Sequence, residues 1–388
     1  MKHRFFLQFA MLLILLLSSS NMWGVLTNPV IKGDSITDPW FNTNPLPTGS
    51  VRMAYVNEEY PFLTLTDESI YTHYILAFAQ LNETNNGIVL KSSSPLVELM
   101  KLKKRNPDIT LILGIGRSSR NSFRAMAATE ANRNSFALSC KSVMQQYGFD
   151  GIDIDWEWPT LENDSNEYNP KYESDKANYV KVVKKLREKL GRNKWISFYS
   201  ISYAGYIDLP NMLRYANFVN VGGYNMDSVP DPIASRHHSA LYPSEYSPKC
   251  CLDSAVNKHL EAGVSYSQML IGIPYYARCA HVKKDDGNMY KGPNISNRDV
   301  HEYISELKYG WDEEAHVPYY YKTELVGYDV NNQPIYNNNL KITFDNERSI
   351  KDKVDYAKSK NLRGVFVWHY GIDFDDQRLG KALRDAYK

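Results

Sequence analysis

The run Phe149-Asp150-Gly151-Ile152-Asp153-Ile154-Asp155-Trp156-Glu157-Trp158-Pro159 decides how the rest of the chain reads. Alternate side chains of a β-strand point to opposite faces, so a strand over Gly151–Glu157 puts Asp153, Asp155 and Glu157 on one face. Ile152, Ile154 and Trp156 fall on the other. Successive acids in such a row stand about 6.5–7 Å apart along the strand. Carboxylates that close repel one another, and Asp and Glu are almost never buried unless paired. With an apolar opposite face, the strand reads as enclosed on both sides, as in a parallel sheet covered by helices. An exposed face that is merely acidic is the alternative, but an enclosed acidic row is better explained by chemistry. Crowding raises at least one pKa in such a set. Glu157, at the end of the row between two Trp, is the expected holder of the proton that a general acid needs.

Working outward, β-rich apolar runs recur with helical patterns between them. Strands are predicted at Val51–Val56, Thr72–Ala79, Ile109–Ile115, Gly151–Glu157, Trp195–Ile201, Phe218–Tyr224, Met269–Tyr276 and Gly364–Trp368. Phe136, Cys140, Val143, Met144 and Tyr147 mark one face of a helix stopped by Gly148. Tyr179, Val182, Val183, Leu186 and Leu190 mark another, with Ser174 or Asp175 as cap and Gly191 as stop. Eight strands alternating with helices outline an α/β fold, a (β/α)8 TIM barrel. A doubly wound open sheet is the rival, but no Gly-rich phosphate loop follows the first strand. The gap between strands seven and eight is too long for one helix. Residues 279–341, with Tyr319-Tyr320-Tyr321 and Glu324-Leu325-Val326-Gly327-Tyr328, read as a small α+β insertion; a helix over Ser349–Lys360 follows. The barrel is thus expected over 50–278 and 342–388.

Lys2, His3 and Arg4 precede an apolar run from Phe5 to Leu17 and then three serines, the pattern of a secretory signal over residues 1–20. Residues 21–49, with four prolines, read as a lead-in. The 388 residues carry 45 basic and 44 acidic side chains, for a net charge of +1. That balance advertises neither nucleic acid nor an anionic membrane surface, and no stable membrane partner is expected. A neutral ligand suits it better. The 29 Tyr and 7 Trp favour sugar rings, whose apolar faces stack on aromatics. Four Cys in a secreted chain raise the question of bridges. Cys140 reads as a buried thiol, and a bridge from Cys250 or Cys251 to Cys279 is one possibility. Sequons stand at Asn82, Asn163 and Asn294.

The acidic run resembles the Asp-x-x-Asp-x-Asp-x-Glu signature of glycoside hydrolase family 18, the chitinases and their relatives, with Asp150, Asp153, Asp155 and Glu157 at its acidic positions. The resemblance covers residues 50–388, and many chitinases of the family carry an insertion where this chain has one. It implies a substrate-assisted retaining hydrolase. Glu157 protonates the glycosidic oxygen, the substrate's N-acetyl carbonyl attacks its own anomeric carbon, and Glu157 then activates water. Asp155 would hold the acetamide N–H and share a proton with Asp153, and Tyr224 would donate to the acetamide. Asp150, on the other parity, supports the strand start.

The same resemblance places Asn225 beside Tyr224, Tyr276 and Arg278 as sugar contacts, Trp368 as the floor of the cleavage subsite, and Tyr55 and Phe78 in the pocket bottom. It implies no cofactor and no metal. The implied partners are chitin or N-acetylglucosamine oligosaccharides, met by a secreted monomer. Two departures stand out. Gly222-Gly223-Tyr224-Asn225 lacks the family's Met, which leaves a less filled wall. Gly114-Ile115-Gly116-Arg117-Ser118 replaces Ser-x-Gly-Gly-Trp, so the Trp platform on the leaving-group side is gone. An endo-β-N-acetylglucosaminidase and a non-catalytic chitinase-like lectin are the rival readings. Inactive relatives usually lack the acid or an Asp partner, and all are present here.

Overall fold

The computed structural model describes residues 38–41, 50–57, 68–162, 167–226, 236–279, 282–283, 289–290 and 293–388. The expected signal segment, nearly all of the lead-in and the sequon at Asn163 lie outside them. Eight parallel strands form the core: β1 (Val51–Asn57), β2 (His73–Leu81), β3 (Thr110–Ile115), β4 (Gly151–Ile154), β5 (Trp195–Ser200), β6 (Phe218–Val221), β7 (Met269–Pro274) and β8 (Gly364–Trp368). Each pairs in parallel with its sequence neighbour, and β8 pairs back to β1 through Val51↔Gly364 to Ala54↔Val367, closing the cylinder. The expected TIM barrel is the observed fold. Closure buries the strands on both faces, which is why they read as near-continuous apolar runs.

Helices wrap the outside where the 3.6-residue pattern placed them. Thr129 caps Glu130–Tyr147 by accepting the Asn132 N–H, and Gly148 ends it in the left-handed conformation at φ 77°. The cap expected for Ser174–Leu190 differs. Its N-cap is Glu173, with no side-chain cap bond, because Asp175 is turned inward. There Asp175 accepts from Arg124 Nε at 2.9 Å and from the Thr160 N–H at 3.0 Å, tying the helix to the loop after β4. Asp150 closes the bottom of the barrel, accepting from Lys103 Nζ at 3.0 Å and the Leu111 N–H at 2.9 Å.

Between β7 and β8 lies a five-stranded antiparallel sheet in the order Asn294–Ser296, Tyr276–Cys279, Pro334–Thr343, Val317–Tyr328, Lys308–Asp312. It draws in Tyr276–Cys279 directly after β7, so that strand turns from the barrel into the second sheet. A buried ion pair sits where this sheet meets the barrel. Lys353 Nζ lies 2.5 Å from Asp345 Oδ1, both side chains fully buried. Ser239 and Ser349 hydroxyls also donate to Asp345, and Asn297 Nδ2 donates to its carbonyl.

All four cysteines are free thiols, so the bridge to Cys279 is not formed. Cys251 instead caps the helix Leu252–Glu261, its Sγ accepting the Ser254 N–H, while Cys250 borders the groove described below. Unfolding the unreduced protein in denaturant is expected to expose four thiols per chain to a disulfide-exchange reagent. Two would mean that a bridge forms.

Candidate active site

At the C-terminal ends of the strands, where barrel enzymes keep their chemistry, a groove of about 840 Å³ opens. Asp155, Glu157, Tyr224, Asn225, Tyr276, Tyr55 and Trp368 all line it. The strand carrying the acids is shorter than expected: the β4 ladder ends at Ile154, with the Asp155 N–H still donating to Ile115 O at 2.9 Å. β3 ends at Ile115 and offers no further partner, so the chain leaves the ladder and carries Glu157 over the mouth. Non-proline cis peptides follow Ala77, Glu157 and Trp368.

Asp153 is the deepest acid, fully buried and gripped from three other strands. Tyr55 OH (β1) donates to Oδ2 at 2.8 Å, and Ser197 Oγ (β5) and Asn220 Nδ2 (β6) donate to Oδ1 at 2.6 and 3.0 Å. Burial raises its pKa from the ordinary 3.8 to about 6, against the lowering effect of the Ser197 and Tyr55 bonds. Asp155 comes next and is raised further still, by burial first and then by the charges of Glu157 and Asp153. Its carboxyl is hydrogen-bonded to that of Glu157, and its Oδ1 is buried with no protein partner among the described residues.

Glu157 is exposed along the open side of the groove, yet protein crowds its carboxyl on the others. Burial raises its pKa, while the bond from Asp155 and the charge of Arg120 lower it. Both carboxyls are thus raised, and the hydrogen-bonded pair holds a proton above the ordinary carboxyl range. Position sets the surroundings of each: Asp155 has an acid on each side, whereas Glu157 has one and faces the groove.

The other predicted residues divide into groove and support. Trp368 is half-buried at the end of β8, its ring stacked on Phe78 at 5.9 Å and packed against Tyr55 at 5.4 Å. Phe78 thus backs the floor and does not line the groove. Tyr276 OH donates to Asn225 Oδ1 at 2.6 Å, and Arg278 Nη1 donates to the same oxygen at 3.0 Å. Arg278 is fully buried and absent from the groove lining, so it reaches the groove through Asn225. Asn225 itself has a positive φ of 60° and is exposed to the groove.

The wall left by the missing Met is filled. A Cβ on Gly222 would lie 2.3 Å from Tyr199 OH, and one on Gly223 would lie 2.2 Å from Gly272 O. Tyr199 occupies that space, stacked on Tyr224 at 6.3 Å and packed against Trp158 at 5.5 Å. Sequence reasoning missed Tyr199, Ser197 and Asn220. The signal was there for the last two: each is a polar residue within a largely apolar strand, and Ser197 sits in register with Asp153.

Asp153 and its neighbours make stability depend on pH. A carboxyl raised from 3.8 to about 6 keeps its proton in the native state after the unfolded chain has lost it. Its contribution to stability is therefore present at acid pH and lost as pH rises through about 6, roughly 3 kcal/mol for this group. Asp373, also raised to about 6, acts with the same sign. Buried imidazoles act with the opposite sign: His73 and His259, lowered to about 4, and His369, lowered to about 3, add stability as pH rises toward 6.5. Against that shared background the melting temperature of Asp153→Asn, taken relative to wild type, is expected to rise between pH 4 and 7, measurable by calorimetry. Equal slopes would show that Asp153 does not titrate in this window.

Comparison with known proteins agrees with this geometry. The family model Glycosyl hydrolases family 18 matches residues 51–373. Chitinase A1 of Niallia circulans is 28% identical over 326 residues, 74% of this chain, which spans 44% of that protein. Class V chitinase of Arabidopsis thaliana is 27% identical over 349 residues, covering 85% of this chain and 87% of the plant protein. Among solved structures, a family 18 N-acetylglucosaminidase from Paenibacillus barengoltzii superposes with a TM-score of 0.71 at 28% identity, over 87% of this chain and all of that one. The chain belongs to family 18 of the glycosyl hydrolases and is a glycoside hydrolase of the chitinase type.

Proposed function

We propose that this protein is a secreted, monomeric chitinase that cleaves β-1,4-linked N-acetylglucosamine polymers or oligomers by substrate-assisted retention. One observation carries the reading: a buried Asp155 bonded to Glu157 on one side, with its second oxygen unpartnered among the described residues and beside the groove. That oxygen is ready for an acetamide N–H. Engaging it turns the acetamide so that its carbonyl faces the anomeric carbon. Asp155 passes its proton on to Glu157, which delivers it to the glycosidic oxygen as the bond breaks. The acetamide carbonyl oxygen closes on C1 to give a cyclic oxazolinium ion, whose positive charge the Asp155–Asp153 pair faces. Tyr224, with OH raised well above its ordinary pKa by burial, stays a donor to the acetamide oxygen. Glu157, now ionised, takes a proton from water as it opens the ring with retention. Trp368 supports the sugar from below, its plane held by Phe78 and Tyr55.

A second reading, an endo-β-N-acetylglucosaminidase on other glycans, is favoured by Arg117 and Ser118 standing where an aromatic platform is usual. Secretion rests on the charged and apolar pattern of the first twenty residues.

Glu157→Gln is expected to lower turnover of N-acetylated chitohexaose at least 1,000-fold while calorimetric binding persists, and wild type is expected to release β-anomeric products. Wild type that binds the hexaose but turns over nothing from pH 4 to 8 would make it a lectin. Faster cleavage of a high-mannose glycopeptide than of the hexaose would favour the second reading. The proton on the Asp155–Glu157 pair also predicts an alkaline limb in kcat/KM above the ordinary carboxyl range.

A further inference from the structure

Tyr55, Tyr199, Tyr224 and Tyr276 all line the groove beside the acids. A phenol carries one hydrogen to donate and can also accept, so each hydroxyl has one proton to place. Tyr55 gives its proton to Asp153 Oδ2 at 2.8 Å, and Tyr276 gives its own to Asn225 Oδ1 at 2.6 Å. Tyr224 is the hydroxyl that the proposed reading sets against the acetamide. Its ring is packed edge-on against Tyr276 at 6.0 Å and Phe366 at 6.2 Å. On its remaining side it is stacked on Tyr199 at 6.3 Å, with 21° between the planes.

Tyr199 rises from the end of β5 and is buried between Trp158, at 5.5 Å, and Tyr224. Its hydroxyl reaches across to β6, where a glycine leaves room for it. A Cβ on Gly222 would lie 2.3 Å from that oxygen. From there the Tyr199 hydroxyl bonds to that of Tyr224. Burial and the neighbours Tyr276, Tyr55 and Asp155 all raise the Tyr224 pKa, whereas the bond from Tyr199 lowers it, as a donor does. Burial first, then Tyr224 and the charges of Glu157 and Asp155, hold the proton on Tyr199 itself well above the ordinary tyrosine range.

A phenol hydroxyl turns about its C–O bond to suit whatever partner is at hand. With Tyr199 donating to the Tyr224 oxygen, the Tyr224 proton is turned away from Tyr199. A donor oriented in advance costs no rearrangement when the substrate reacts.

We infer that Tyr199 is a positioning residue for the cleavage step, holding the Tyr224 hydroxyl so that its proton points at the substrate acetamide. The inference rests on the proposed hydrolytic reading and adds to it a residue that works through Tyr224. Gly222 belongs to the same arrangement, because a side chain there would push the Tyr199 hydroxyl off its acceptor.

The test is a double-mutant cycle on N-acetylated chitohexaose with Tyr199→Phe and Tyr224→Phe, two changes that keep both rings and remove only hydroxyls. Tyr199→Phe is expected to lower kcat about fivefold, the worth of one neutral hydrogen bond, while KM moves less than about twofold. In the Tyr224→Phe background the same change should cost less than about twofold, because its target is gone. Equal losses in the two backgrounds would mean that Tyr199 touches the sugar itself or merely supports the wall, and would overturn the inference. A wild-type kcat in Tyr199→Phe would overturn it too, with the chitinase reading left intact. Should wild type cleave nothing, the hydrolytic reading fails instead. The cycle is then read from calorimetric affinities for the hexaose, where additive losses would overturn this inference as well. A protein that neither binds nor cleaves the hexaose overturns both.

Discussion

The structure depends on how Asp153 is held. A carboxyl with no solvent exposure costs several kcal/mol unless its lone pairs are satisfied, and here the donors arrive from β1, β5 and β6 while the acid itself sits on β4. Those strands are brought together only when the cylinder closes. Closing the barrel and fixing the inner acid are therefore one event, and every group further out inherits its position from it. Asp155 is crowded because Asp153 is held in place, and Glu157 is tethered by the hydrogen bond between its carboxyl and that of Asp155. The electrostatic strain that raises these pKa values is paid for by the surrounding apolar strands.

The second sheet is fixed by the same kind of device, with opposite charges in place of like ones. Asp345 receives a lysine ammonium and two hydroxyls within a fully buried shell. Removing one partner of such a pair costs about 3–5 kcal/mol, because the other charge is left uncompensated. Its location matters more than its strength. Asp345 lies at the exit from the sheet and Lys353 on the helix before β8, so the pair sets how the sheet stands over the barrel mouth. Tyr276 starts that sheet and also lines the groove. Anchoring the insertion thereby anchors Asn225, through the Tyr276 and Arg278 bonds that converge on its oxygen.

Legibility in the sequence followed the range of the interaction. The barrel was readable because each strand and helix announces itself within about ten residues, and the row of acids was readable because its members are two apart. Asp155 and Glu157 were both identified, but not the hydrogen bond between their carboxyls. That depends on where β3 stops and the chain leaves the ladder, which the sequence does not state. Arg278 and Phe78 were placed in contact with sugar and turn out to stand one layer behind it. A motif specifies which side chains cluster, whereas only packing specifies their depth. Ser197 and Asn220 escaped for the reverse reason: they act over 44 and 67 residues of chain, and each looks like an isolated polar substitution in an apolar strand.

The departures from the family pattern sort themselves by distance from the acid row. Gly222 is tolerable because Tyr199 grows into the space that a larger residue would fill, so the wall stays packed although its atoms come from another strand, while Gly223 lets the Gly272 carbonyl approach closely. The change after β3 has no such compensation among the described residues. Ser118 is occupied in holding the Leu81 N–H at 2.8 Å, and among the described residues this loop offers the groove Arg117 and no aromatic side chain. A compensated change preserves shape and says little about ligand, whereas an uncompensated one alters what the groove can hold. The acid row needs the closed barrel and so cannot drift, whereas the segment after β3 meets its outer end, where Arg120 donates to the Glu157 carbonyl and its charge lowers the Glu157 pKa. Such a segment can exchange a stacking surface for a charge while the buried acids keep their places, because their hydrogen bonds come from β1, β5 and β6.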